Sequence, residues 1–140
     1  MSFQDRSSTG GPGFRTHPPM DDWSVLLHTR PNMLIIGPAA AADAFIRAVT
    51  PHLRLPVRSF VCGALPPHLP PDGTLVLRDV DTLDGDQQQR LVRWLDEPQN
   101  GHPQVISITA TPLYLLVQAG MFLDRLYYRL NVVHFEVISD

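Results

Sequence analysis

A four-residue apolar run, Met33–Ile36, stops at Gly37 and is followed by Pro38 and the alanines Ala39–Ala42. Residues that can share one helical face then recur at Phe45, Ala48, Val49, His52 and Leu53, a spacing of three and four. The order strand, tight turn, helix commits the chain to an α/β unit. In many such units phosphate sits on the amides at the helix N-terminus. A phosphate cradle also needs glycines, so that the backbone can wrap the anion, and a lysine that reaches the β and γ phosphates. Here alanines fill the turn, and the first charged residue of the helix is Asp43, whose carboxylate repels phosphate. A second reading makes Asp43 a carboxylate favoured by the positive end of the helix, by ~0.3–1 kcal/mol. Both readings oppose a working phosphate site.

Four further strands follow from the same kind of evidence. Val57–Cys62 is a second strand candidate, Thr74–Leu77 and Val105–Thr109 are short apolar runs, and Val132–Ile138 alternates. The alternation places Val133, Phe135 and Val137 on one face and His134 and Glu136 on the other, which predicts a half-exposed strand at a sheet edge. Between the strands, Asp84 with Gln87 three residues on predicts a helix start, with Leu91, Trp94 and Leu95 buried and Pro98 after its end. Pro112 opens another helix, bearing Leu113, Leu116 and Val117, that stops at Gly120; Asp124–Leu130 is helical again. Ala64–Asp72 holds four prolines and is a loop hinged at Gly73. Five strands alternating with helices predict a parallel, doubly wound three-layer αβα sheet. Ligands of such sheets sit at the carboxyl ends of the strands, here Gly37–Asp43, Arg78–Asp81 and Thr109–Thr111.

The 140 residues suit one domain. Residues 1–20, rich in Ser, Gly and Pro, read as a flexible and dispensable leader. Residues 21–140 read as the core domain, with a short helix over Asp21–Thr29 capped by Asp21 or Asp22 and carrying Trp23, Leu26 and Leu27. A net charge of −3 offers no basic field for nucleic acid. The single cysteine, Cys62, excludes an internal disulfide and suits a reducing compartment. No apolar run approaches the ~20 residues of a membrane span, so the expectation is cytoplasmic. The six histidines, His17, His28, His52, His68, His102 and His134, have no ligand spacing, so no metal is expected. Cys62 lacks a general-base partner in sequence and reads as a small buried hydrophobe. Asp79, Asp81, Asp84 and Asp86 resemble a metal cluster, but turns and caps account for most of them.

Several segments taken together resemble the AAA+ domain of bacterial enhancer-binding proteins, the NtrC-like ATPases that activate sigma-54 RNA polymerase. The most specific is Met121–Val133, whose Leu-Tyr-Tyr-Arg-Leu-Asn-Val-Val core is similar to the family's second arginine-finger segment. Asp72–Leu83 resembles the Walker B stretch, Gly-Gly-Thr-Leu-Phe-Leu-Asp-Glu-Ile. Gln87–Glu97 resembles the helix after it, Val105–Thr111 the sensor I strand, and Val61–Pro66 the family's Asn-Cys-Ala-Ala-Leu-Pro. The resemblance runs from about Asn32 to Ile138 with one large gap, and it implies the five-stranded P-loop NTPase/AAA+ core. A receiver domain is rejected, because it needs an acidic pair where this chain has Gly37-Pro38, and a lysine before the last helix; the chain has no lysine.

The resemblance also implies where the chemistry has gone. Of the Walker A pattern Gly-x-x-Gly-x-Gly-Lys-Glu only Gly37 survives; the lysine position is Asp43 and the next is Ala44. At the Walker B carboxylates stand Arg78, whose charge opposes a divalent cation, and Asp79, one methylene short for activating water. The sensor I asparagine position is Ala110, although Thr109 before it matches. The first arginine-finger position is Leu123, while the second, Arg129, is kept. An arginine finger can be worth about 10³–10⁵ in rate, so Arg129 acts on a neighbouring molecule or is structural, paired with Asp124 or Asp140. Between Cys62 and Gly73 the family carries a long sigma-contacting insertion, replaced here by the proline-rich connection. The sequence stops at Asp140, before the family's helical lid and helix-turn-helix, so the expectation is a core that lacks the lid and the parts for DNA binding.

These departures predict a minimal AAA+ core without ATPase activity, serving as a regulatory or protein-interaction module in bacterial signalling or transcription control. The alternative is a weak ATP-binding fragment of a sigma-54-dependent regulator, with Gly37, Asp79, Thr109 and Arg129 as remnants; a third reading is a receptor for an unrelated small ligand. No cofactor is expected, ATP and Mg²⁺ belonging to the intact relatives. The expected partner is a protein, such as an intact AAA+ regulator or a signalling protein, with no direct DNA or membrane binding. The expected state is a monomer or small closed dimer, with Tyr127, Tyr128 and Arg129 near the partner surface; either tyrosine can equally be core.

Overall fold

The computed structural model describes residues 28–97 and 103–138. The expectations for the leader, for Asp21–Leu27, and for His17, Pro98, His102 and Asp140 fall outside the described residues.

The strands are β1 (Met33–Ile36), β2 (Val57–Val61), β3 (Thr74–Arg78), β4 (Gln104–Thr109) and β5 (Val133–Glu136). They form one sheet of order β2-β3-β4-β1-β5, every neighbouring pair parallel. The central strands β3 and β4 are buried almost throughout, as continuous apolar runs with both faces covered must be. Edge strand β5 alternates as expected, with His134 and Glu136 exposed and Phe135 and Val137 buried. Cys62 does not extend β2; it opens a 3₁₀ turn over Cys62–Ala64.

Period-two alternation splits the apolar runs into two cores. Met33, Ile35, Val76, Ile106, Ile108 and Phe135 face α1 (Ala39–Val49). Leu34, Leu75, Leu77 and Val105 face the opposite layer of α2 (Gly85–Asp96), α3 (Leu113–Gln118) and α4 (Asp124–Leu130). The buried stripe of α1 is Ala41, Ala42, Phe45, Ile46 and Val49. Ala48 and His52, expected on that stripe, are exposed. Ala48 lies at the margin of the stripe by helical angle, and His52 belongs to a 3₁₀ turn (Thr50–His52) rather than to the helix. Phe45 packs on Phe135 with ring centroids 5.2 Å apart, tilted by 41°, a contact that adds ~0.5–1.5 kcal/mol to the burial of the rings.

Local chemistry ends the helices where the sequence indicates. The Asp84 carboxylate accepts from the Gln87 amide at 2.8 Å, and the Asp84 amide donates to the Gln87 side chain at 3.0 Å, a complete capping box. Gly120, with φ of +76°, closes α3. Its amide donates to the Val117 carbonyl at 3.1 Å and that of Met121 to the Leu116 carbonyl at 2.8 Å, the paired bonds of a Schellman cap. Trp94 is half-buried rather than core, and Gln88 shares the buried stripe of α2 with Leu91, Val92 and Leu95. Among the described residues no helix is long and apolar enough to cross a membrane.

Candidate functional site at the strand ends

The chain leaves β1 towards β2 on one side of the sheet and leaves β4 towards β5 on the other, so the crevice between their carboxyl ends is a topological switch point. Gly37 and Thr109 flank it. The Gly37 amide donates to the Thr109 carbonyl at 3.0 Å, closing the crevice with backbone. A Cβ on Gly37 would overlap the Val137 carbonyl oxygen and come within 2.6 Å of its Cγ2. Glycine is therefore required here by the close approach of the chain after β5. The Thr109 side chain is fully buried and turned inward on its own loop: its hydroxyl donates to the Thr111 carbonyl at 2.7 Å and accepts from the Thr111 amide at 3.1 Å. Ala110 beside it is exposed and brings no polar side-chain atom.

Asp43 and Arg78 form an ion pair with each other, the Arg78 Nη1 donating to Asp43 Oδ1. They lie 35 residues apart in sequence. Arg78 Nε also donates to Ser59 Oγ at 3.2 Å, so the guanidinium ties α1 to the end of β3 and the middle of β2. This corrects the reading of Asp43 as a helix-end carboxylate. The first turn of α1 holds no acidic residue; Asp43 lies a turn further in, where its own helix offers it little and Arg78 offers a counter-charge. Both side chains keep about a third or more of their exposure, so the pair is worth ~0.2–1 kcal/mol.

Asp79 follows directly, exposed, with φ of +59° and ψ of +46°. Aspartate is one of the few L-residues that tolerate this left-handed region. The conformation starts the 3₁₀ turn Val80–Thr82, and the Asp79 carbonyl accepts from the Thr82 amide at 2.9 Å and from its hydroxyl at 2.6 Å. Beneath it Cys62 is fully buried, its thiol pushed up to about 12 by burial and then by the negative charges of Asp79 and Asp81. Such a thiol is inert as a nucleophile. Among the described residues no group of three or more His, Cys, Asp or Glu is arranged to hold a metal ion.

The second region singled out from sequence is α4 and the turn before it. Arg129 does not pair with Asp124, which instead accepts from the Arg125 amide at 2.7 Å. Arg129 reaches across to α2, donating to Asp96 Oδ1 and to the Leu95 carbonyl. Arg125 donates to the other oxygen of Asp96. The reason is geometric: one guanidinium fork can satisfy both a carboxylate and an open carbonyl at a helix C-terminus, which a neighbour on its own helix cannot supply. Tyr127 is partly buried against the core, its hydroxyl accepting from Asn131 Nδ2 at 3.0 Å. Tyr128 is 70% exposed, its ring edge-on to Tyr127 with centroids 5.4 Å apart. Leu123, at the other finger position, is the N-cap of α4 and packs on the core.

Two residues here went unnoticed in the sequence. Gln88, 3% exposed, donates to the Leu83 carbonyl at 3.0 Å and the Met121 carbonyl at 3.1 Å, and accepts from the Leu123 amide at 2.8 Å. It welds the start of α2 to the start of α4. The signal was available: Gln88 precedes Leu91, Val92 and Leu95 at the spacing of the buried stripe. Asp96 stands in the last turn of α2, where the helix dipole disfavours a carboxylate. That misplacement points to a cation from elsewhere in the fold.

The sequence matches a family model, the Sigma-54 interaction domain, over residues 68–139, just over half of the chain. No curated protein matches it. Among solved structures it is similar to NtrX from Brucella abortus in complex with ATP, with a TM-score of 0.68 at 20% identity. The ADP complex gives 0.65 at 21%. Each match covers 84% of this chain and 35% of NtrX, so the chain spans about a third of that relative's length. The P-loop NTPase domain of a sigma-54 transport activator from E. coli gives 0.57 at 19% identity, covering 81% of this chain and 92% of that domain. The five-stranded parallel sheet with its flanking helices is the fold of that domain.

Proposed function

This chain belongs to the sigma-54 interaction domain family, and we propose that it serves there as a catalytically silent AAA+ module, a cytoplasmic regulatory or protein-interaction part of bacterial signalling or transcription control. The observation that carries the reading is the Asp43–Arg78 ion pair. By the family resemblance these are the positions of the phosphate-binding lysine and the magnesium-organising aspartate. A cation and an anion stand at both, with the signs exchanged and the two side chains engaged with each other. A carboxylate at the lysine position repels a phosphate, and a guanidinium at the aspartate position repels Mg²⁺. The exchanged pair satisfies itself, and a nucleotide would have to break it before finding any counter-charge.

The test is calorimetry and thermal denaturation with ATP, with and without Mg²⁺, to millimolar nucleotide. The expected result is no saturable heat, no hydrolysis above background and no rise in melting temperature. A saturable rise with Mg·ATP overturns the reading. A rise with ATP alone favours the second one, a weak ATP-binding regulator fragment, which draws on the ATP-bound NtrX likeness and on Arg78 as a guanidinium able to hold phosphate.

A further inference from the structure

A cleft of about 320 Å³ lies between the proline-rich loop that follows β2 and the C-terminal half of α2. Pro67 and Pro71 form one wall, and Trp94 with Arg90 and Arg93 the other; His68 and Glu97 also line it. We propose that this cleft binds a short acidic peptide segment of a partner protein, the carboxylate on Arg90 and Arg93 and an apolar or aromatic side chain between the prolines and Trp94.

Four observations carry this. Arg90 and Arg93 sit three residues apart and so point to one side of α2. Among the described residues neither has a committed partner: Arg90 reaches only the Leu65 carbonyl, at the limiting distance of 3.5 Å, and Arg93, exposed, makes no hydrogen bond or ion pair. Elsewhere Arg58, Arg78, Arg125 and Arg129 are each spent on an aspartate. Arg90 and Arg93 are the two guanidiniums that line the cleft, and guanidinium forks match carboxylates in bidentate geometry. Proline and half-buried indole faces beside them give the flat apolar contact that an acid alone would not need.

The surroundings also restrict the ligand. On the far side of the same arginines a second cleft, of about 330 Å³, is lined by Asp84 and Asp86, and Glu97 stands at the rim of the first. A polyanion such as a nucleic-acid backbone would run into those carboxylates. A ligand with one or two acidic groups and an apolar neighbour would not, and the volume suits two or three residues of peptide. The proposal rests on the protein-interaction half of the function above. It is independent of nucleotide silence, since the cleft lies away from Asp43 and Arg78, so either can fail while the other stands.

The probe is a fluorescein-labelled, acetylated peptide Gly-Asp-Phe-Glu-Gly titrated into the full chain at low ionic strength, beside its amide counterpart Gly-Asn-Phe-Gln-Gly. The expected result is saturable binding of the acidic peptide alone. Arg93→Gln and Arg90→Gln should each weaken it about tenfold, the loss expected for one charge-assisted pair, and Trp94→Leu should weaken it without changing the preference for acid. Both arginines are polar side chains on the outer part of α2, and an unchanged circular-dichroism melt confirms that each variant folds. Equal binding of the two peptides, binding indifferent to both arginine substitutions, or no saturation by millimolar peptide overturns the proposal. Full competition by citrate at the peptide's own affinity also overturns it, since that is a site for any small anion.

Discussion

The two regions that the family resemblance singles out hold their charges in opposite ways. At the strand ends, Arg78 makes a part-buried ion pair with Asp43 and a hydrogen bond to Ser59, between elements that are already fixed by the sheet and by Phe45. At α4, Arg129 and Arg125 share Asp96, Leu126 and Leu130 are fully buried, and Gln88 and Asn32 bind backbone from sequence-distant elements. The first arrangement decorates the fold and the second holds it together. By the family resemblance Met121–Val133 is the most specific segment and the Walker A stretch keeps only Gly37, a contrast that this difference in packing would account for. A segment whose residues pack and cap must keep its residue types to keep the sheet covered. A pocket whose side chains served only a ligand loses little stability when they change.

The comparison breaks first, if it breaks, on Leu126→Ala. A fully buried leucine in this position costs ~2–5 kcal/mol on truncation, and denaturant titration should show a midpoint shift of that size with an unchanged slope. A loss below about 1 kcal/mol would mean that α4 is a surface appendage, free to serve a partner rather than its own core. Next comes Gln88→Leu, which leaves two carbonyls and one amide without their partner; each buried orphan costs ~1–3 kcal/mol. The same titration should place it clearly above any substitution at the strand ends.

Between the two regions lies Cys62, under Asp79 and Asp81. Its folded thiol, pushed up to about 12, stays protonated where an unfolded thiol near 9.0 has ionised. Above pH 9 the unfolded state therefore binds fewer protons and stability falls as pH rises, fully present below that value and lost on the way to pH 12. At pH 10 the loss relative to pH 8 should be ~1 kcal/mol, and Cys62→Ala should remove that part of the dependence. A melt whose pH profile is the same in both proteins would show that burial and the two aspartates do not keep the thiol neutral.

How much of this was legible beforehand follows the same division. The inner strands β1, β3 and β4 read as short apolar runs, because a buried parallel strand has no polar face to confuse the reading. Asp43 and Arg78 both read as chemically wrong for a nucleotide, yet their contact is invisible in sequence, since it joins α1 to the end of β3 between residues 35 apart in the chain. In sequence Arg129 has Asp124 or Asp140 as its candidates, both close along the chain or at its end, whereas the partner in the structure, Asp96, is 33 residues back on another helix. Gln88 hid in a run of three glutamines identical in chemistry, of which only the helical phase distinguishes the inward one.

The smaller effects sharpen the comparison from the pocket side. Asp43→Asn and Arg78→Gln should each cost ~0.2–1 kcal/mol, and the double variant no more than either alone, as a pair that interacts chiefly with itself requires. Additive losses in the double-mutant cycle would place other partners on one of the two and weaken the argument that the pair is self-contained.

The smallest effect belongs to Tyr128, the exposed ring on the otherwise structural α4. Its neighbours on the helix are committed: Leu126 and Leu130 to the core, Arg129 to α2, and Tyr127 to Asn131. Tyr128 has only its edge contact with Tyr127 to lose, so Tyr128→Ala should shift stability by no more than ~0.5 kcal/mol. If α4 also presents a partner surface, Tyr128 is the residue that can do so without loosening the fold, since tyrosine is a favoured interface anchor. The substitution should then weaken association with a captured protein partner while leaving the melt unchanged, and light scattering should show a monomer or small dimer before and after. A stable hexamer, with or without nucleotide, would instead assign α4 to a ring contact between copies. A destabilisation above ~1 kcal/mol would move Tyr128 to the structural side of the comparison, leaving no part of α4 free for a partner.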